Sequence, residues 1–270
     1  MNFTLFLRAL LGFWIVSSHL PASQWIKPYS TDPYLGPEIY HISRLKEGGS
    51  KQQGFLYGIR MGYDHVRRYK LYWGMDVLWA QGTLKGSRKR ETPHGEILTD
   101  HLKSIFTDIN LEGRAGYTFQ SKDWRCASFT PYTGLGYFWE NNDYKHPSPL
   151  QVLFKNRFFY LPVGFLSQIF VTPSLSIGFN FKLRYLLEAV QNVEHDPEYG
   201  KLTQHYQEKL QYRIEIPVSY FFCWKDYPLG ASLVPFFEYR PYGHRANFPF
   251  DFLEVKLKIY GATLKLHYLY

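Results

Sequence analysis

Between Thr107 and Phe119 the chain alternates strictly. Odd positions are apolar or small (Thr107, Ile109, Leu111, Gly113, Ala115, Tyr117, Phe119), and even positions are polar, charged or glycine (Asp108, Asn110, Glu112, Arg114, Gly116, Thr118). A period of two puts the two sets on opposite faces of a β-strand. The run exceeds the length of about five or six residues usual for a globular strand. One face carries Asp, Asn, Glu and Arg in succession, which an oil-like core does not accommodate. A strand of about ten residues, apolar on one side and charged on the other, is the unit of a transmembrane β-barrel.

The pattern recurs along the chain. Phe55–Tyr63, Leu71–Gly82, Trp124–Glu140, Phe159–Val171, Leu175–Leu187, Leu210–Phe222, Leu229–Arg240 and Phe252–Tyr270 all read as strands. Pro162 is expected near a strand end or bulge, because it has no N–H to give a ladder. Short connections follow Asp64, Gln120, Val171 and Phe222. Long polar ones follow Gly82 (Thr83–Leu102), Glu140 (Asn141–Asn156), Leu187 (Glu188–Glu208) and Arg240 (Pro241–Phe250). This is the sidedness of an outer-membrane barrel, with short periplasmic turns and long external loops. An even strand count requires one more strand before Phe55, and Glu38–Leu45 fills that place. The expectation is an all-β, antiparallel up-and-down barrel of ten strands, with eight or twelve as alternatives. It occupies residues 37–270, after a signal peptide at 1–22 and an irregular segment at 23–36.

Composition sharpens this picture. Aromatic residues make up 19% of the 270 residues, more than a soluble core needs but suited to interfacial girdles. Mean hydropathy is -0.31, and no apolar run reaches the roughly 18–20 residues of a spanning helix. Alternation hides a barrel from such averages. The export signal is read from Arg8, the apolar stretch Ala9–Val16 and cleavage after the small residue Ala22. The formal net charge of +8 comes without a nucleic-acid motif and implies only weak attraction to anions. The two cysteines, Cys126 and Cys223, fall on strands that are not neighbours, so two unpaired thiols are expected.

The candidate chemistry lies on the polar parity. Arg60, Asp76, Asp108, Glu112, Arg114, Lys182, Arg184, Arg213, Glu215, Glu238 and Arg240 should all face the lumen. A turn centred between Lys225 and Asp226 sets Arg213 opposite Glu238. A turn centred on Lys122 sets Glu112 opposite Tyr132. Opposed side chains are close enough to pair, so these residues make a lumen charge network rather than a selectivity lining. Small barrels are filled by side chains, whereas free diffusion needs about sixteen strands. A second candidate is an anion-binding loop, Lys85, Arg88, Lys89 and Arg90, whose cations suit lipopolysaccharide phosphates or acidic host glycans. His94, Asp100, His101, His146, His195, Asp196 and His205 fall in external loops without metal or catalytic spacing. No cofactor and no catalytic set is expected.

The final residues place Tyr260, Leu264, Leu266, Tyr268 and Tyr270 on one parity and end on an aromatic. They resemble the C-terminal strand of bacterial outer-membrane β-barrels, which the assembly machinery of that membrane reads through Tyr270. Phe129-Thr130-Pro131-Tyr132-Thr133-Gly134-Leu135-Gly136-Tyr137 is similar to a common strand of small barrels of that class. Pro37–Asp64 is similar to an uncharacterised barrel family of chlamydial-type bacteria. Val255, Leu257 and Ile259 conflict in parity with Leu264 and Leu266, which a bulge near Gly261 or an earlier strand end would reconcile. The resemblance implies a Gram-negative cell-envelope protein, monomeric, with surface-exposed loops that contact a host or envelope ligand. The alternatives are a porin-like narrow pore and, less favoured, a hydrolase akin to the omptin-like proteases or lipid A deacylases. A soluble lipocalin-like barrel is the remaining rival, and it would place the apolar residues inside.

Overall fold

The computed structural model describes residues 31–47, 49–65, 71–91, 97–120, 127–149, 151–197, 200–206, 210–225, 227–243 and 254–269. The signal-peptide expectation, Cys126 and Tyr270 lie outside these residues. Among the described residues there are fourteen β-strands and no helix. They are β1 Thr31–Lys46, β2 Ser50–His65, β3 Leu71–Glu91, β4 Ile97–Tyr117, β5 Phe119–Gln120, β6 Ser128–Lys145 and β7 Leu153–Phe170. The rest are β8 Leu175–Gly178, β9 Asn180–Asp196, β10 Gly200–His205, β11 Leu210–Glu215, β12 Val218–Trp224, β13 Tyr227–Tyr242 and β14 Val255–Tyr268. All pairings are antiparallel. β1 pairs with β2 and the wall then follows chain order, until β13 pairs with β14 and β14 pairs back with β1. The sheet is closed, so its main strands have no free edge.

Fourteen strands replace the expected ten because the wall is interrupted locally. Thr118 alone separates β4 from β5, Phe179 separates β8 from β9, and Ile216 with Pro217 separates β11 from β12. Pro217 has no N–H for the ladder, although its carbonyl still accepts from Gly178 N at 2.8 Å. β10 folds back on β9. Pro162 lies within β7, not at its end. The ladder to β6 is interrupted there, between Thr133 opposite Val163 and Gly136 opposite Tyr160.

The strands are also longer than expected, up to 21 residues in β3 and β4. Residues 83–91 and 97–102, expected in one long loop, belong to β3 and β4. Likewise β6 runs to Lys145, β7 starts at Leu153, β9 runs to Asp196, and β10 occupies Gly200–His205. β1 starts at Thr31 rather than Glu38, so residues 31–36 are strand and not irregular.

Exposure explains both the band and the extensions. On β3 the outward residues Leu71, Trp73, Met75 and Trp79 are exposed, as are Leu111, Leu135, Phe179, Leu233 and Leu264 on other strands. Eight steps from Leu71 to Trp79 cover about 20 Å along the barrel axis at the usual tilt, close to the height of a lipid-facing band. A continuous apolar belt of this size faces lipid, not water. Aromatic rings edge it: Tyr63 and Trp73 pack at one rim, and Tyr212 and Tyr239 at the other. Above that second rim the polarity inverts. Leu84, Phe106, Phe138, Phe158, Leu186, Tyr242, Val255 and Leu257 point inward into one apolar cluster, while Lys85, Lys103, Lys256 and Lys258 point outward. The parity conflict in the last strand is this inversion. β14 stays in one register with β13 from Tyr242 opposite Val255 to Leu229 opposite Tyr268, and no bulge occurs at Gly261.

Candidate functional site

The lumen at belt height is built around Glu238 on β13. Its carboxylate is buried and accepts from three arginines on three strands: Arg213 Nη1 at 3.0 Å, Arg240 Nε at 2.5 Å, and Arg184. The register that sets Arg213 opposite Glu238 is the expected one, because the hairpin closes tightly between Trp224 and Tyr227. Lys225, at φ 48°, takes the left-handed turn position there. Arg240 reaches on to Glu140 at 2.8 Å and Asp108 at 3.0 Å. Arg213 also pairs with Glu215 at 2.7 Å.

A second centre adjoins the first, with Glu38 lying 3.8 Å from Arg213. Glu38 on β1 accepts from Arg60, whose other nitrogen reaches Asp76, and from Thr263 Oγ1 at 2.6 Å. Glu112 on β4 binds Lys182 Nζ at 2.9 Å and Tyr160 Oη at 2.7 Å. Arg114 reaches Asp64 at 3.2 Å and lies 3.8 Å from Glu112. Tyr160 crosses the lumen through the space over Gly136. A Cβ at Gly136 would lie 2.1 Å from the Tyr160 ring, so glycine is required there by close approach.

All the predicted lumen residues therefore do line the interior. Glu112 is an exception in its partner. It lies opposite Gly136, while Tyr132 lies opposite Gly116. The connection between Gln120 and Ser128 is longer than a turn centred on Lys122, and the register moves with it. Tyr132 instead packs under Arg114, 5.5 Å from the guanidinium to the ring centre. Glu38, Asp64, Glu140 and Tyr160 complete the network and were not among the predicted set. All four lie at or next to the ends of the strands read from the sequence; the even parity they share with Arg60, Asp108 and Glu112 was the signal available.

Aromatic rings pack against the guanidiniums of the network. Arg213 lies 3.7 Å over the Phe236 ring, Arg184 lies 5.2 Å over Tyr160, and Arg240 lies 5.2 Å over Phe138. Phe138 stacks on Phe158 at 4.2 Å. A cavity of about 20 Å³ touches Arg60, Asp76, Lys182 and Arg213, room for about one water. A larger one, about 120 Å³, lies nearer the short-turn end, lined by Ser128, Thr130, Gln168, Ser176, Asn180 and Ser219. Beside it His267 bridges Asp32 at 2.8 Å and Ser232 at 2.6 Å, tying β1, β14 and β13.

The remaining candidates change place. Lys85, Arg88 and Lys89 are exposed on β3 rather than held in a loop, and Arg90 belongs to the same strand. Asp100 and His101 lie on β4, His195 and Asp196 on β9, and His205 on β10; His94 is outside the described residues. Among the described residues no three His, Cys, Asp or Glu side chains gather as a metal would need. Cys223 is a free, exposed thiol.

With this geometry in hand, similarity to known proteins is informative at the level of fold. The outer membrane protease OmpT from Escherichia coli superposes with a TM-score of 0.56 at 9% identity, over 92% of this chain and 99% of that one. The Pseudomonas putida toluene transporter TodX gives 0.34 at 11% identity, over 93% and 92%. The Pseudomonas aeruginosa outer membrane protein OprG gives 0.34 at 9%, over 89% and 97%. No protein-family profile matches the chain, and no curated protein matches it in sequence. The feature shared with OmpT is the closed antiparallel barrel.

Proposed function

We propose that the chain is a bacterial outer-membrane barrel of ten staves whose lumen is sealed, and whose work is done by the collar above the lipid. In this count β4 with β5, β8 with β9, and β10 with β11 and β12 each make one stave. The observation that carries the reading is the cross-lumen network. Glu238, Arg213, Arg240, Glu140 and Asp108 are all at most 2% exposed, and an aromatic layer covers them. A solute path through this layer would strip buried charges of their partners, which costs several kcal/mol per break. The role is then structural or surface-binding, with the outward polar faces of the strand extensions meeting envelope or host ligands.

The rival is a narrow pore for small solutes. Planar-bilayer recording of the refolded, full-length protein separates the two. The sealed barrel gives no reproducible single-channel steps. Regular steps that shift in size in Arg240→Ala would make it a pore. A likeness of fold at 9% identity carries no chemistry from the protease to this chain, and we assign no catalytic role to the histidines and acids of the collar.

A further inference from the structure

On the outer wall, the residues Lys85, Lys103 and Lys145 occupy one lateral row. Lys85 is opposite Lys103 in the β3–β4 register, and Lys103 is opposite Lys145 in the β4–β6 register. Like charges at directly opposed positions destabilise a sheet. Lys145 has Asp143 at 2.6 Å as a countercharge; the described ion pairs give none to Lys85 or Lys103. Six residues down the same strands lies the rim of the lipid-facing belt, at Trp79, Ile109 and Trp139, with exposed Arg157 opposite Trp139. Two rows lie between the cationic levels: Thr83, Ile105 and Asp143, whose carboxylate is taken up by Lys145, and below it a row of neutral hydrogen-bonding groups. Gln81 is opposite Thr107 and Thr107 opposite Asn141, and Gln81 donates to Thr107 at 3.2 Å.

The vertical order is anion site, neutral donors and acceptors, anion site. The upper row stands about 15 Å above the aromatic rim at the usual strand rise and tilt. A phosphorylated saccharide standing on lipid has this chemistry at this height. Its membrane-level phosphate meets Arg157, its hydroxyls meet the neutral row, and its outer anionic groups bridge the opposed lysines. We propose that this face of β3, β4, β6 and β7 binds the phosphorylated headgroup of the outer-leaflet glycolipid. The proposal rests on the outer-membrane reading above. It shares Lys85 with the predicted basic cluster, but Lys103, Lys145 and Arg157 come only from the strand register.

The test uses the full-length protein refolded into phosphatidylcholine vesicles, with no addition, with lipopolysaccharide, with dephosphorylated lipopolysaccharide, or with free heparin. Thermal unfolding is followed by heat-modifiable gel mobility. Lipopolysaccharide should raise the unfolding midpoint by several degrees, and high salt should shrink that gain. The dephosphorylated form should give less than half of it. In K85Q/K103Q the gain should vanish, while the midpoint in phosphatidylcholine alone is no lower than wild type because the repulsion between the opposed pair has been removed. That second reading separates lost binding from misfolding. An undiminished gain in K85Q/K103Q, or an equal gain from dephosphorylated lipid or from heparin, overturns the proposal. A protein that conducts in planar bilayers yet keeps the gain would retire the sealed-lumen reading and leave this site standing.

Discussion

The lower and upper halves of the barrel are made from the same strands, and they are chemical opposites. On β14 the belt-level residues Leu264 and Leu266 face out while Thr263 and Lys265 face in. Ten residues earlier, Val255, Leu257 and Ile259 face in while Lys256 and Lys258 face out. The backbone does not change its parity between them. What changes is the solvent outside. Lipid accepts Leu264 but not Lys258, and water does the reverse. The interior follows, because each half must bury what its exterior refuses. Below the rim the tube closes on charge pairs, and above it on stacked rings.

The sharpest way to break this contrast is to attack the charged half at its hub. Glu238→Leu removes the common acceptor of Arg184, Arg213 and Arg240. Three guanidiniums then remain in a space with little water. Breaking even one buried pair costs about 3–5 kcal/mol, so the loss here should reach at least that range. Denaturant unfolding in detergent micelles measures it. An unchanged midpoint would mean that the network does not hold the lumen together. In Glu238→Gln the carbonyl keeps one acceptor, and the loss should be smaller.

A pair of exchanges on one strand tests the inversion directly. Leu264→Lys puts a cation into the lipid-facing band and should cost about 2–4 kcal/mol, less if the side chain reaches the interface. Lys258→Leu, on the same outward parity but at the rim opposite Tyr239, should change stability by no more than about 0.5 kcal/mol. Equal losses for the two would show that the membrane edge has been put at the wrong height.

The same inversion decided what was legible in the sequence. Belt-level segments such as Leu175–Leu187 announce themselves, because their outward side chains are apolar and most of their inward ones are polar or glycine. The Arg213–Glu238 register was readable because a tight hairpin fixes it within a dozen residues. The Glu112 register was not, since the connection after Gln120 has no turn residues that set its length. Thr83–Leu102 read as a loop because its outward residues are Thr, Lys and Ser and its inward parity mixes Leu84 and Leu102 with Gly86 and Arg88. Alternation survives there with its sign reversed and its contrast weakened by glycine. Glu140 escaped notice because it sits where the two halves meet, and one strand face changes from polar to apolar within a few residues.

At the outer end of β1 the upper half has a titratable group of its own. Lys46 lies opposite Ser50 and Val255, above the lipid. Burial, with Arg44 and Arg88 nearby, pushes its amine down to about 8. The unfolded chain holds that proton to about pH 10.4. Between these values the unfolded state binds more protons than the folded one, so stability rises with pH through this window. Below about pH 8 the full penalty applies, on the order of 1 kcal/mol once water at the rim is allowed for. Lys46→Met should remove it, raising the midpoint at pH 7 by about 2–4 °C and flattening the profile between pH 8 and 10. Wild type and variant melting in parallel across that window would show that the rim above β1 is as wet as the outer wall. The apolar interior would then stop short of the strand ends.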